Sequence, residues 1–252
     1  MAEVLLAADG LTRRFGGLAA NRDVSLSLVR GEVHALLGPN GAGKSTCINL
    51  LSGDLPVTSG RILLRGADVT PLPNHRRSLL GLGRSYQRTN IFARFTAFEN
   101  CRLAAQSRDP QAWRILGRAH GNASMRDRAA SALEQAGLGA RSNVVGAALS
   151  HGEQRQLEIA MVLATGADVL LLDEPLAGMG AEESARMIEL LKSLRPAHAI
   201  LLVEHDMDAV FEVADRVTVM VEGRVLESGL PHQIRASAAV REAYLGEPEA
   251  SA

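Results

Sequence analysis

Residues 38–46 read Gly38-Pro39-Asn40-Gly41-Ala42-Gly43-Lys44-Ser45-Thr46, a full match to the phosphate-binding loop pattern, and nothing else in the sequence limits the fold so tightly. Glycines in such a loop tolerate positive φ and let backbone N–H groups converge on phosphate where a Cβ would clash. A helix starting near Gly43 points its positive dipole end at the same charge. Lys44 then reaches the β- and γ-phosphates, and the Ser45 hydroxyl is placed to bind Mg²⁺. The competing reading is a Gly-rich turn that happens to precede Lys-Ser, which arises by chance in roughly one chain of this length per hundred. Two facts weigh against it. Lys44 is one of only two lysines, Lys192 being the other, among 27 basic residues. The pattern also falls between a strand-like and a helix-like stretch.

The flanks supply the strand and the helix that the loop needs. Val33–Leu37 is apolar but for His34 and lacks strict alternation, as a strand covered on both faces would. A helix is predicted from about Gly43 to Ser52, with Gly53 as its C-cap. Val4–Ala8, Val24–Leu28 and Arg61–Leu64 read as further strands, separated by Gly16-Gly17, Arg30-Gly31 and Ser59-Gly60. From about Phe95 to Leu149 helix signals dominate. Thr96 and Glu99 have capping-box spacing, and Ser124 is expected to cap a helix carrying Ala130, Leu133 and Ala136 that stops at Gly137. Asp109-Pro110 and Gly117 to Asn122 read as connections.

From Ser150 onward helix and strand alternate. Helices are expected at Gly152–Leu163, Glu182–Leu194 and Asp206–Val213, and strands at Val169–Leu172 and Ala199–Val203. Val217–Val221 and Arg224–Glu227 flank Glu222-Gly223, a hairpin turn. Sequential β-α-β with apolar strands implies a parallel sheet covered on both faces, with ligands at the strands' carboxyl ends. The expected fold is α/β of the P-loop NTPase type: a mainly parallel core sheet, an N-terminal antiparallel β part and an inserted helical subdomain.

Composition excludes several other classes. The 27 Lys+Arg and 28 Asp+Glu leave a net charge of −1, which argues against a general phosphate-backbone binder, so no nucleic-acid partner is expected. Apolar residues make up 46%, so wholesale disorder is out. No uncharged apolar run approaches the roughly 18–20 residues that span a bilayer. The opening MAEVLLAADG has an early acid and no basic region, so no signal peptide is expected. Cys47 and Cys101 cannot build a disulfide framework or a zinc site. The expectation is a soluble, intracellular chain.

Two further motifs carry chemistry. Residues 169–174, VLLLDE, form an apolar strand ending in two acids. That suits hydrated Mg²⁺ held through Asp173 and a base, Glu174, facing the attacking water. Alone this pair is weak, because many parallel strands end in an acid; with the phosphate loop upstream it is strong. Leu149-Ser150-His151-Gly152-Glu153-Gln154 opens a helix, and Ser150 with Glu153 forms a capping box that any helix could use. The functional alternative is that this N-terminus and the Ser150 hydroxyl cradle a second phosphate. One nucleotide does not need two cradles in one chain. A dimer does, if each cradle completes the partner's site.

With these residues in view the sequence resembles the ATP-binding subunits of ABC transporters over nearly its whole length. GPNGAGKST matches that family's Walker A motif, VLLLDE its Walker B, and LSHGEQRQ is similar to the signature LSGGQ. Gln87, in Arg84-Ser85-Tyr86-Gln87, falls at the Q-loop glutamine, and His205, in Val203-Glu204-His205-Asp206, at the switch histidine. The resemblance implies one ATPase domain over residues 1–252. Its nucleotide-binding core is 1–87 with 150–230, its helical subdomain 88–149 and its C-terminal tail 231–252. ATP and Mg²⁺ would be its ligands. Phe15 would stack on adenine where the family usually has Tyr. Gln87 would touch Mg²⁺ or the lytic water, His205 the γ-phosphate, and Ser150, Gly152 and Glu153 the partner's nucleotide. A bare surface Gln, a structural His and a core Phe are the bland readings of those positions. Catalysis would fall to Glu174, His205, Gln87 and Lys44, and metal binding to Ser45, Gln87 and Asp173.

The motifs depart from the family pattern in two places. His151 and Glu153 replace Gly and Gln in the signature, and Gly180 stands in the D-loop, Leu176-Ala177-Gly178-Met179-Gly180, where Asp is common. The stretches EPLAGMG, LLVEHDMDAVFEVADRVTVM and AYLGE look like the ATPases of branched-chain amino acid importers, and somewhat less like those serving urea or other amides. Such a subunit would pair with a second ATPase, itself or a paralogue. It would drive two membrane permease subunits, indirectly served by a periplasmic substrate-binding protein, from the cytoplasmic face of the bacterial inner membrane. Residues 88–95 would grip a permease helix. A soluble ABC-type ATPase acting on ribosomes or DNA is the rival class; it usually carries two ATPase halves, a coiled-coil insertion or zinc motifs.

Overall fold

In a computed structural model of the chain, residues 3–87, 89–107 and 123–245 are described. A hairpin of two 12-residue strands, β1 (Val4–Phe15) and β2 (Leu18–Val29), opens the fold. Both strands run well past the apolar cores Val4–Ala8 and Val24–Leu28. The additional stretch pairs across the hairpin, Arg13 opposite Asn21 and Phe15 opposite Leu18, and its buried positions are Leu11, Ala19 and Asn21. β3 (Glu32–Leu37) leads directly into the glycine-rich loop and α1 (Lys44–Ser52). Gly53 ends that helix in the left-handed region, its N–H returning to the Asn49 and Leu50 carbonyls as a helix-terminating glycine should. β4 (Ser59–Leu64), β5 (Ala67–Asp68), α2 (Asn74–Leu79) and β6 (Leu82–Arg84) follow. The last three are too short to show a hydrophobic period and went unpredicted.

The helical segment contains α3 (Ala97–Gln106) and α4 (Ala123–Gln135). Thr96 caps α3 in a reciprocal capping box with Glu99, as its spacing predicted. Ser124 does not cap α4: the helix is already formed at Ala123, so Ser124 lies in its first turn. The buried stripe of α4 is Met125, Ala129, Ala132 and Leu133, continuing to Ala136, while Ala130 faces outward. The expected connections at Asp109-Pro110 and Gly117–Asn122 lie outside the described residues.

The rest alternates as the pattern indicated: α5 (His151–Ala164), β7 (Val169–Asp173), α6 (Ala181–Leu194), β8 (Ala199–Val203), α7 (Met207–Val213), β9 (Arg216–Val221) and β10 (Arg224–Gly229). Residues 231–245 carry two short helices, α8 (Pro231–Ala236) and α9 (Ala238–Leu245), which bury Ile234 and Val240 in the core.

The strands form two sheets. One, antiparallel, has the order β2-β1-β4-β5; the other has the order β10-β9-β3-β8-β7-β6 and is parallel except for the β9–β10 hairpin. Alternate residues of the central strands enter two different cores. Leu170, Leu172, Ile200 and Leu202 pack with the later helices. Leu171, Leu201 and Leu36 pack with α1 and the antiparallel sheet. Both faces are therefore dry, which is why these strands read as continuous apolar runs. No helix among the described residues is long and apolar enough to cross a membrane.

Candidate active site

The carboxyl ends of β3 and β7 meet at one cavity of about 550 Å³, lined by residues 40–46, Gln87, Glu174 and a rim from β2 and the β9–β10 turn. Gly43 is the N-cap of α1 at φ +97, and a Cβ there would stand 2.5 Å from the Ala20 carbonyl oxygen. Only glycine fits both the dihedral and the space. Lys44 is buried, and its ammonium donates to the Gly38 carbonyl and, at 3.0 Å, to that of Pro39. Gly38 and Pro39 thus anchor the lysine from behind the cavity, while the loop from Asn40 to Thr46 faces into it.

At the end of β7, Asp173 is 6% exposed and Glu174 turns away with φ +50, its N–H bonded to the Val203 carbonyl at 2.9 Å. A non-glycine residue held there is strained by about 1–3 kcal/mol, the kind of strain that aims a side chain at a site. The Gln87 side-chain amide donates to Glu174 Oε2 at 2.8 Å, so two residues separated by 87 positions share the cavity. Burial pushes the Asp173 carboxyl above the usual carboxylate range, opposed by the Arg84 guanidinium, whose Nη2 lies 3.2 Å from Asp173 Oδ2. Ser45, Asp173 and Gln87 offer only hard oxygens toward a cation. Among the described residues no group of three or more His, Cys, Asp or Glu could cage a metal. That sparse oxygen set fits Mg²⁺, which keeps water and phosphate in its shell, better than a protein-caged ion.

Asp173, Phe15 and His205 do not line this cavity, although Asp173 directly precedes Glu174, which does. Phe15 is 46% exposed at the end of β1, with the Arg13 guanidinium 4.7 Å over its ring. His205 is exposed just after β8, its Nδ1 3.8 Å from the buried Glu204. Ser150, Gly152 and Glu153 line a different cavity, of about 380 Å³, that shares no lining residue with the first. Ser150 caps α5 in a reciprocal box with Glu153.

Several supporting residues escaped the motif reading. Arg84 is nearly buried and reaches Asn49, Ser52 and Asp54 at the end of α1 as well as Asp173, tying the loop helix to β7. Arg155 and Glu158, a buried pair on α5, hold the Q-loop backbone. Arg155 donates to the Tyr86 and Gln87 carbonyls, and Glu158 accepts the Asn90 N–H at 2.6 Å. Glu204 is fully buried and accepts the Leu176 N–H at 2.8 Å, fixing the start of the D-loop; burial pushes its carboxyl above the usual range. Only the Arg/Glu spacing of i,i+3 on α5 was visible in advance, and it is common on helices.

A glycine-rich loop between β3 and α1, an acidic pair closing β7 and a glutamine brought onto the second acid define a P-loop nucleoside triphosphatase. The ABC transporter family model matches residues 21–177, and a model for branched-chain amino acid ATP-binding cassette transporters matches residues 224–250. The chain is 40% identical to the high-affinity branched-chain amino acid transport ATP-binding protein LivG of Escherichia coli (strain K12), over 98% of this chain and 100% of that protein. It is 38% identical to BraF of Pseudomonas aeruginosa, which carries the same description, with the same coverage of each. A solved ATP-binding cassette of an ABC transporter in its ADP conformation superposes with a TM-score of 0.86 at 26% identity, covering 97% of this chain and 99% of that one. The chain belongs to the ABC transporter family, as an ATP-binding and ATP-hydrolysing subunit.

Proposed function

We propose that this subunit powers an importer of branched-chain or other hydrophobic amino acids, docked peripherally on the cytoplasmic face of a bacterial inner membrane. Its partners would be a second ABC ATPase, two permease subunits and, indirectly, a periplasmic substrate-binding protein. Full-length similarity to LivG and BraF supports the substrate class. One observation supports the mechanism: residues 40–46 and the set Ser150, Gly152 and Glu153 line two cavities with no residue in common. A nucleotide held by the loop of one subunit is therefore completed by Ser150, Gly152 and Glu153 of the other.

In this reading the glycine N–H groups of residues 38–46 and Lys44 bind the β- and γ-phosphates, and Phe15 supports the adenine ring. Ser45, Gln87 and Asp173 would hold Mg²⁺, whose charge would offset that of the phosphates when it is bound. Glu174, oriented by the Gln87 amide, takes the proton of the attacking water, and His205 swings onto the γ-phosphate as the subunits close. Residues 88–149 form the helical subdomain, and closure carries residues 88–95 against a permease helix. Co-purification from the native membrane tests the assignment. Recovery of permease subunits supports it, and recovery of ribosomes or nucleic acid in their place refutes it.

A further inference from the structure

We propose that Glu183 is a positioning residue that occupies the signature half-site in place of the partner's nucleotide phosphate, and that it must leave when that phosphate arrives. This rests on reading Ser150 and Gly152 as phosphate donors. Glu183 Oε1 accepts the Ser150 hydroxyl at 3.2 Å and the Gly152 N–H at 3.2 Å. Glu183 stands in the first turn of α6, three residues after its N-cap Gly180. The α5 donors, Gly152 first, hold its carboxyl below the usual carboxylate range.

A simpler role, capping α6 from its third position, needs only the Gly180 N–H and explains neither contact with α5. The Glu183 carboxylate also lies directly over Gly152, where a Cβ would stand 2.8 Å from Oε1. Carboxylate and phosphate seek the same donors, so one set of N–H and O–H groups serves only one of the two anions at a time. Glu183 has somewhere to go. Arg186 stands one turn along the same helix, lines the same cavity and is 61% exposed, with only a 3.5 Å contact to Glu182. Gly180, where the family commonly has Asp, leaves Glu183 as the carboxylate linking the D-loop end to the signature helix.

The test uses the assembled transporter, so that pairing is native whether the second ATPase is a copy or a paralogue. ATP hydrolysis is measured against ATP concentration for the parent, Glu183→Gln and Ser150→Ala. Removing the competing charge should lower KM for ATP roughly five- to tenfold with kcat little changed. Ser150→Ala should raise KM. A purely structural role for Glu183 predicts the opposite sign, a raised KM with a lowered melting temperature. If Ser150→Ala raises KM and Glu183→Gln does not lower it, the Glu183 proposal is overturned and the cradle stands. If Ser150→Ala leaves KM unmoved, the cradle itself falls and takes the proposal with it. Should Glu183→Gln fail to assemble, Glu183→Asp keeps the charge but falls short of the α5 donors, and must shift KM in the same direction.

Discussion

The two proposed phosphate cradles of this chain occupy their polar groups by opposite means. In the loop after β3 a cation, Lys44, is held by neutral backbone carbonyls of its own loop, while the glycine-rich backbone faces a cavity. At the head of α5 neutral donors, the Ser150 hydroxyl and Gly152 N–H, are held by an anion from another helix. The first arrangement welcomes a triphosphate without displacing any charge of its own sign. The second resists one until an anion has been moved. On the proposed reading, different thresholds at the two faces would impose an order: nucleotide fills the loop first and the signature helix engages afterwards.

The strongest way to break this comparison is to disable the first face alone. Glu174→Gln keeps the side chain's size and its neighbour Gln87 but removes the base. ATP turnover should fall about 10²–10⁴-fold while ATP binding persists and a closed pair accumulates, seen as ATP-dependent association by light scattering. Unchanged turnover would remove Glu174 from the mechanism. Lys44→Ala acts earlier on the same face. Losing a charged donor to the phosphates should weaken nucleotide binding by about ten- to a hundredfold in calorimetry. Equal affinity in mutant and parent would rule out the loop as the phosphate site.

Much of the first face is legible in the sequence, because its chemistry is local. Nine consecutive residues make the loop, and six more, residues 169–174, supply the strand and the acidic pair that closes it. Lys44 stood out for a compositional reason too, as one of two lysines in a chain that otherwise uses arginine. The same habit hid Arg84 and Arg155. With 25 arginines present, none announces that it bridges Asp173 to the end of α1 or clamps the Q-loop backbone. Glu183 was hidden differently, since its contact with Ser150 spans 33 residues and two helices. Short pieces such as β6 and α2 were invisible because three to six residues cannot display a period. Ser124 misled because a capping residue type inside a first turn looks the same in sequence as one that precedes it.

Acid offers a way to load the strand beneath the first face. His34, in β3 ahead of the loop, is 2% exposed, with Nδ1 3.1 Å from the Ser27 carbonyl and Nε2 2.8 Å from the Thr218 hydroxyl. Burial lowers its pKa from 6.5 to about 4. The unfolded chain therefore binds a proton in this window that the folded chain refuses, so stability is full above 6.5 and declines as pH falls towards 4. The loss attributable to His34 reaches about 3 kcal/mol at the acid end. Melting temperature followed against pH should show that decline, and His34→Gln should flatten it. An unaltered slope in the variant would assign the acid sensitivity elsewhere.

The smallest expected effect separates capping from phosphate binding most cleanly, because the chain contains an internal control. Thr96 with Glu99 on α3 and Ser150 with Glu153 on α5 are reciprocal capping boxes of the same kind. Only the second lines a cavity with Gly152 and Glu183. Replacing either cap residue by alanine frees one helix-terminal N–H and should cost about 1 kcal/mol of stability in each case. Denaturant titration should thus find Thr96→Ala and Ser150→Ala nearly equal in midpoint. Their ATP responses should part company. Thr96→Ala ought to keep the parent KM in the assembled transporter, whereas Ser150→Ala raises it. Parallel behaviour in both assays would reduce the Ser150 box to an ordinary cap, and with it the difference between the two faces.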